Sequence, residues 1–230
     1  MLFSQNELDN IKREMTKLKD NISLKLFTDF KIQEDGSKLR KCMACEGTYK
    51  LLKTLEEVSG GRLKIEEYST EENEEDAKKY DIVRIPAILF VDKEGKVVIK
   101  YSATPAGAEL APFLKSLQYF SGVSPYYKDQ IVSHLKKIPK SKMKMFITKT
   151  CPYCPATVPV ANLFSIVSKG KVSVEIIDVD ANPDIAMKYQ VQGVPHTIIN
   201  DKDHIYGMFT PQELLEKLTK GKRDLGGMYS

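Results

Sequence analysis

All four cysteines of this 230-residue chain fall in two short patterns, CMAC at Cys42 to Cys45 and CPYC at Cys151 to Cys154. Two cysteines separated by two residues can hold a metal, close a static disulfide, or shuttle electrons between dithiol and disulfide. A thiol is nucleophilic only as thiolate, and a free cysteine, with a reference pKa of about 8.5, is mostly protonated at neutral pH. Each pair here directly precedes a run that reads as an amphipathic helix, KLLKTL after Cys45 and VPVANLF after Cys154. Unpaired N–H groups and the positive end of the helix dipole at such a position favour the anion. Cys42 and Cys151 are therefore the expected nucleophiles. Cys45 and Cys154, one turn further in, are the expected resolving thiols. CPYC contains a proline that stiffens its turn and CMAC does not, so the two sites are expected to differ in redox potential. The pair Cys151 and Cys154 is the expected main protein-facing site.

The elements that must position these cysteines occur twice. In the second half, Ser124 reads as the N-cap of a helix running to Ile138, MKMFIT (143–148) as a strand, and the stretch from Cys154 to about Ser168 as a helix. KVSVEIIDVD follows as a strand, NPDIAMKY as a short helix, and HTIIN with HIYGMF as a hairpin before a last helix in TPQELLEKLTK. The first half repeats the plan: a helix from Ser4 to Lys19, the strand LKLFTD, the cysteine turn, the strand KIEEYST, a short helix, the hairpin AILFVDKEGKVVIKY and a closing helix. Cys42 to Pro86 and Cys151 to Pro195 are both steps of 44 positions. The strands are 119 positions apart and the cysteines 109, so the first copy carries ten extra residues in FKIQEDGSKLRK. Lys38, Arg40 and Lys41 in that insertion are expected to keep it solvated, the alternative being a local positive potential. The plan divides the chain into residues 1–120 and 121–230. Alternating strands and helices followed by an antiparallel hairpin imply an α/β architecture, with mixed central sheets flanked by helices.

A CxxC at a strand-to-helix turn, with a proline some forty positions on that opens a hairpin, resembles the thioredoxin fold. The doubled arrangement resembles the glutaredoxin-like protein disulfide oxidoreductases of thermophilic archaea and bacteria. The resemblance implies two tandem thioredoxin-fold units acting by thiol-disulfide exchange on protein disulfides and dithiols, with a thioredoxin-reductase-like flavoenzyme as possible electron donor. It also implies that Pro86 and Pro195 are cis, and that the backbone at Ile85 and Val194 is free to pair with an extended substrate chain. The chain departs from the pattern in places. It has no tryptophan, and the position before each pair is Lys41 or Thr150. Six residues before each nucleophile stand Gly36 and Met145, so the buried acid of thioredoxins has no counterpart at that spacing. Glutathione use is not expected, because the glycines and acid that glutaredoxins use after the hairpin are not evident at GMFTPQEL. His196, next to Pro195, either supports the Cys151 thiolate or is an ordinary strand histidine.

Composition narrows the alternatives. A net charge of +4 from 35 basic and 31 acidic residues is too weak a bias to argue for nucleic acid. The longest apolar run, Ile85 to Val91, is too short for a membrane span. The opening MLFSQNELDN has no leader pattern, and a cytoplasmic location is expected. With no glycine-rich nucleotide loop, neither bound flavin nor nicotinamide is expected, and no metal. Three rivals remain: a zinc protein using all four cysteines, a binding module that keeps the fold, and an electron relay between a flavoprotein reductase and a peroxidase. For zinc, the 105 residues between Cys45 and Cys151 contrast with roughly 15–20 in compact modules.

Overall fold

The structure is a computed structural model, and it describes residues 3–219. Helix α1 (Gln5–Met15) starts where the sequence places it. The Ser4 hydroxyl accepts from the Glu7 N–H and the Glu7 carboxylate accepts from the Ser4 N–H, a reciprocal cap. Strand β1 (Ile22–Thr28) lies at the centre of the first half, parallel to β4 (Leu63–Ser69) and antiparallel to β5 (Ala87–Val91), which turns back into β6 (Val97–Ser102). In the second half β7 (Ser141–Ile147) is likewise parallel to β8 (Val172–Asp178) and antiparallel to β9 (His196–Ile199), which pairs with β10 (Asp203–Tyr206). Each half is a thioredoxin-fold unit, and the two follow one another along the chain.

The sheets of the two units are not separate. β6 pairs in parallel with β8, Ile99 opposite Val174 and Tyr101 opposite Ile176, so that eight strands form one sheet in the order β10-β9-β7-β8-β6-β5-β1-β4. An isolated unit would leave both strands as open edges, each a row of unpaired backbone groups. The β5/β6 register shifts between Phe90 and Val91, which leaves Val98 as an extra residue, and Val98, Ile99 and Tyr101 are all buried in the same core. Helices α1, α2 (Cys45–Val58), α4 (Leu110–Phe120), α5 (Lys128–His134), α6 (Cys154–Val167) and α8 (Pro211–Thr219) pack their apolar stripes into one continuous core. The short helices α3 (Glu74–Lys79) and α7 (Pro183–Lys188) cover the other face over Phe27 and Phe146 respectively. Strand periodicity separates the two cores: Met143, Met145 and Ile147 face the large one, and Phe146 the small one.

Polar contacts sew the units together. Buried Asn162 on α6 donates to the Tyr101 hydroxyl and the Ser116 hydroxyl, both at 2.8 Å. Asn182, just ahead of α7, donates to the Ser102 and Asp178 carbonyls, each at 2.9 Å. A 3₁₀ turn at Gly107–Glu109 of the first unit rests on the second: the Ala108 N–H donates to the Lys149 carbonyl at 3.0 Å. Gly107 has φ +61, and a Cβ there would meet that same oxygen at 2.8 Å, so glycine is required on both counts. The turn buries Glu109 to 1% exposure, and among the described residues neither carboxylate oxygen is hydrogen-bonded. Burial, with the buried Asp178 carboxylate as a second cause, pushes the Glu109 carboxyl up to about 7.

Four expectations change. The opening helix, expected to reach Lys19, ends at Met15 with Thr16 as its C-cap. The helix expected over 124–138 is only α5, and Ser124 does not cap it. Pro125, Tyr126 and Tyr127 form a turn instead, with the Lys128 N–H on the Pro125 carbonyl and the Tyr127 hydroxyl reaching Gln212. The strand expected through Phe209 ends at Tyr206, because Gly207 takes φ +78 and its N–H turns back to the Pro195 carbonyl. The inserted loop is no loose excursion. It folds into a small hairpin, β2 (Lys31–Ile32) with β3 (Lys38–Leu39), and places the Arg40 side chain against Tyr49 at 6% exposure. Arg40 donates from Nε and Nη2 to the Glu67 carboxylate at 2.7 and 2.8 Å, and from Nη1 to Glu46 at 2.8 Å. Burial alone would raise the Glu67 carboxyl, but the bonds from Arg40 and Thr28 outweigh it and hold it below its ordinary value. The last expected helix is seen to Thr219, and its final Lys220 lies outside the described residues.

Two stability measurements follow from the buried charges. Arg40→Ala leaves the buried Glu67 carboxylate with Lys38 and Thr28 as partners and should cost about 3 kcal/mol in denaturant unfolding, while an Arg40→Met/Glu67→Leu double variant should recover most of it. Glu109 has a folded value raised above the unfolded one. Its favourable contribution is therefore complete below about 4.5 and disappears as pH rises through about 7. Glu109→Gln should be more stable than the parent by on the order of 1–3 kcal/mol at pH 8, with the advantage vanishing near pH 4.5.

Candidate functional site

β1 and β7 each end at the same edge of the sheet, and each hands the chain to a cysteine turn that opens a helix. α2 begins at Cys45 and α6 at Cys154, and the residues at the caps, Ala44 and Tyr153, make no side-chain capping bond. No side chain therefore competes with the sulfur for the N–H groups at either helix start. Both pairs are closed as disulfides, with Cα–Cα distances of 5.3 Å for Cys42–Cys45 and 5.6 Å for Cys151–Cys154. Cys45 and Cys154 are fully buried, as expected of resolving thiols. The first cysteines differ: Cys151 is 4% exposed, whereas Cys42 is half-buried beside a fully exposed Met43. The donors differ as well. The Cys154 N–H points to Cys151 Sγ at 3.0 Å, while the Cys45 N–H is spent on the Cys42 carbonyl at 3.1 Å.

The two prolines stand at that same edge. Ile85–Pro86 and Val194–Pro195 are both cis. Ala87 pairs with Phe27 and His196 with Phe146, so the next step of each register sets Pro86 across from the end of β1 and Pro195 across from the end of β7. The structure thus brings each cysteine pair and its proline to one end of one strand pair. The first proline loop is also tied to the second unit, Arg84 Nη1 donating to Asp184 Oδ1 at 2.9 Å in a two-pronged ion pair. Nothing in the sequence marks Arg84, since its partner is 100 positions away.

His196 does not serve Cys151. Its ring shares a 2.9 Å hydrogen bond with His204 and lies over Tyr206 and Phe146, on the α7 side of the sheet, whereas Cys151 and α6 belong to the opposite core. Burial, and then the His204 charge, lowers its pKa. Nor does the four-cysteine zinc reading hold. Among the described residues, the group of potential ligands that converges is Asp29 with Cys42 and Cys45, and the two cysteine pairs do not come together. In the disulfide state the two sulfurs of that group are not thiolates, which leaves a single anionic donor.

Acids missing at the expected spacing do exist in space. The carboxylate of Asp29, the residue following β1, lies within 4.8 Å of both Cys42 Sγ and Cys45 Sγ. It accepts from the Lys41 N–H at 2.9 Å, which fixes it against the turn. Counting six residues back from Cys42 lands on Gly36, in the inserted hairpin. The insertion separates Asp29 from Cys42 in sequence without moving the strand end from the cysteine turn. In the second unit, Lys149 Nζ, two residues before Cys151 in sequence, stands 3.6 Å from the buried Asp178 carboxylate, which also acts on Glu109.

Known proteins share both the sequence pattern and the fold. A thioredoxin-domain family pattern matches residues 141–220. A thioredoxin of Methanocaldococcus jannaschii is 35% identical over 81 residues, which are 35% of this chain and 95% of that protein. One component of the alkyl hydroperoxide reductase of Staphylococcus aureus is 26% identical over 121 residues, 52% of this chain and 23% of that protein. A protein named NADH dehydrogenase from Ferdinandcohnia aciditolerans is matched over 63% of this chain and 28% of its own length, so the chain spans about a quarter of these longer relatives. Among solved structures, a protein disulfide oxidoreductase of Aeropyrum pernix superposes with a TM-score of 0.78 at 24% identity, over 95% of this chain and 94% of that one. The corresponding alkylhydroperoxide reductase component of Enterococcus faecalis superposes with a TM-score of 0.83 at 19% identity, over 95% of this chain and all of that one. At those identities the likeness is one of fold. Among the described residues no helix is long and apolar enough to cross a membrane. Two cysteine turns at helix starts, a cis-proline across from each, and a match along nearly the whole of an archaeal thioredoxin place this chain in the thioredoxin family.

Proposed function

We propose that the chain is a protein disulfide oxidoreductase with two exchange sites, one in each of two units spanning residues 1–120 and 121–230. The observation that carries this is the pair of CxxC disulfides, each at an uncapped helix start with its resolving sulfur buried. In the reducing direction the Cys151 thiolate attacks one sulfur of a substrate disulfide and the other sulfur departs as thiolate, leaving a mixed disulfide. The Cys154 thiol gives up its proton and its sulfur attacks Cys151. The Cys151–Cys154 bond forms, the second substrate sulfur leaves, and two electrons have passed to the substrate. The reverse sequence oxidises a dithiol. Cys42 and Cys45 run the same steps. The Ile85–Pro86 and Val194–Pro195 segments are assigned to hold the substrate backbone beside each pair. Cys151 is ranked as the main nucleophile because a backbone N–H already points at its sulfur, although exposure favours Cys42.

A flavoenzyme of the thioredoxin-reductase type is the proposed electron donor, and the cytoplasm the proposed location. A second reading, that the chain relays electrons between a flavoprotein reductase and a peroxidase, is favoured by the fold shared with the alkylhydroperoxide reductase component. The two differ in substrate breadth. Insulin reduction with a dithiol donor should proceed with the parent, fall by tenfold or more in Cys151→Ser and fall less in Cys42→Ser. An inactive parent would remove the oxidoreductase reading, and near-parental rates in both variants would remove the ranking.

A further inference from the structure

The two sites share a plan but not an electrostatic setting. At the first, a carboxylate stands within 4.8 Å of both sulfurs. At the second, the residue at the matching place after the central strand is Thr148, which carries no charge. The inserted hairpin brings four cations near the first site, yet carboxylates engage each of them. Lys38 and Arg40 pair with Glu67, Arg40 also with Glu46, and Lys31 and Lys41 with Glu71 at 2.7 and 3.2 Å. On the neighbouring proline loop, Arg84 is taken by Asp184. Among the described residues, what Asp29 itself receives is one backbone N–H, from Lys41.

We propose that Asp29 is the residue that sets the two sites apart, its carboxylate disfavouring the Cys42 thiolate so that attack by Cys42 requires a higher pH than attack by Cys151. Like charges at this separation oppose one another, and in a partly desolvated turn the effect on a thiol's ionisation is about tenfold. The second site has the opposite bias, since the Cys154 N–H supports negative charge on Cys151. The disulfide is neutral, so the carboxylate acts on the reduced pair and leaves the oxidised pair nearly untouched. The first site is thereby made the less reactive nucleophile despite its greater exposure. Asp29 is a positioning residue, acting on the charge state of Cys42 without bonding to substrate. The inference rests on the reading that CMAC is an exchange site.

Its test does not require turnover. The fully reduced full-length protein is alkylated with iodoacetamide across pH, and the Cys42 and Cys151 peptides are followed separately by mass spectrometry. In the parent, Cys42 should reach half-maximal rate about one pH unit above Cys151. Asp29→Asn keeps an acceptor for the Lys41 N–H and should lower the Cys42 midpoint by about one unit, about tenfold faster labelling below it, with Cys151 unmoved. Asp29→Glu should restore the parental midpoint. A Cys42 midpoint at or below that of Cys151 in the parent overturns the proposal even should a variant fail to fold, as does an Asp29→Asn profile identical to the parent's. Equilibration of the first site with glutathione, in a Cys151→Ser/Cys154→Ser background, tests the underlying reading separately: a CMAC pair that never exchanges defeats the function assigned to it, whatever the alkylation profile.

Discussion

A sulfur at the start of a helix whose first N–H groups have no side-chain cap is the contact on which the rest of the structure depends. The 3.0 Å approach of the Cys154 N–H to Cys151 Sγ shows what the arrangement offers. Negative charge can be held there without a cation, because the unsatisfied donors are already aimed. For that to work, the cysteine turn must sit at the end of a central strand, which it reaches directly after β7 and across the inserted hairpin after β1. The strand must also be clamped on both sides, by its parallel and antiparallel neighbours. The β1/β4/β5 and β7/β8/β9 triplets provide this clamp twice.

The second constraint is the joining of the two units along β6 and β8. It removes two open edges and lets segments of one unit reach the environment of the other's site. Arg84, beside the first cis-proline, is held by Asp184 of the second unit. Glu109 of the first unit is buried in the turn whose Ala108 N–H rests on the Lys149 carbonyl, two residues before Cys151. Such cross-unit charges are costly to bury, and each is either paired, as Arg84 is, or shifted toward neutrality, as Glu109 is. Arg40 follows the same rule within the first unit: a residue in a charged loop is enclosed because two carboxylates and an aromatic face accept it.

Much of the fold and the site is legible in the sequence. The cysteine turns, the repeat, the two prolines and the order of elements follow from spacing and periodicity, which are local properties. Helix ends are less legible. Ser124 has a good capping side chain, but the turn at Pro125–Tyr127 takes the backbone elsewhere, and nothing nearby in sequence announces the Tyr127–Gln212 bond. The second-site histidine is legible as a residue but not as a direction, because one step along β9 reverses the face to which a side chain points.

The sequence by itself determined what chemistry is available: four thiols in two equivalent turns, each followed by a proline at a constant step. Those features survive any packing because they are set by covalent spacing and by what helices and strands do at their ends. Tertiary structure alone decided how the two turns differ. The carboxylate near Cys42 comes from a strand end thirteen residues earlier in sequence, beyond an inserted hairpin. The backbone N–H that points at Cys151 Sγ is the other half of that difference, and the matching N–H of Cys45 goes to a carbonyl. Charge acts through distance in space, and a separation below 5 Å can join residues that no count along the chain would pair.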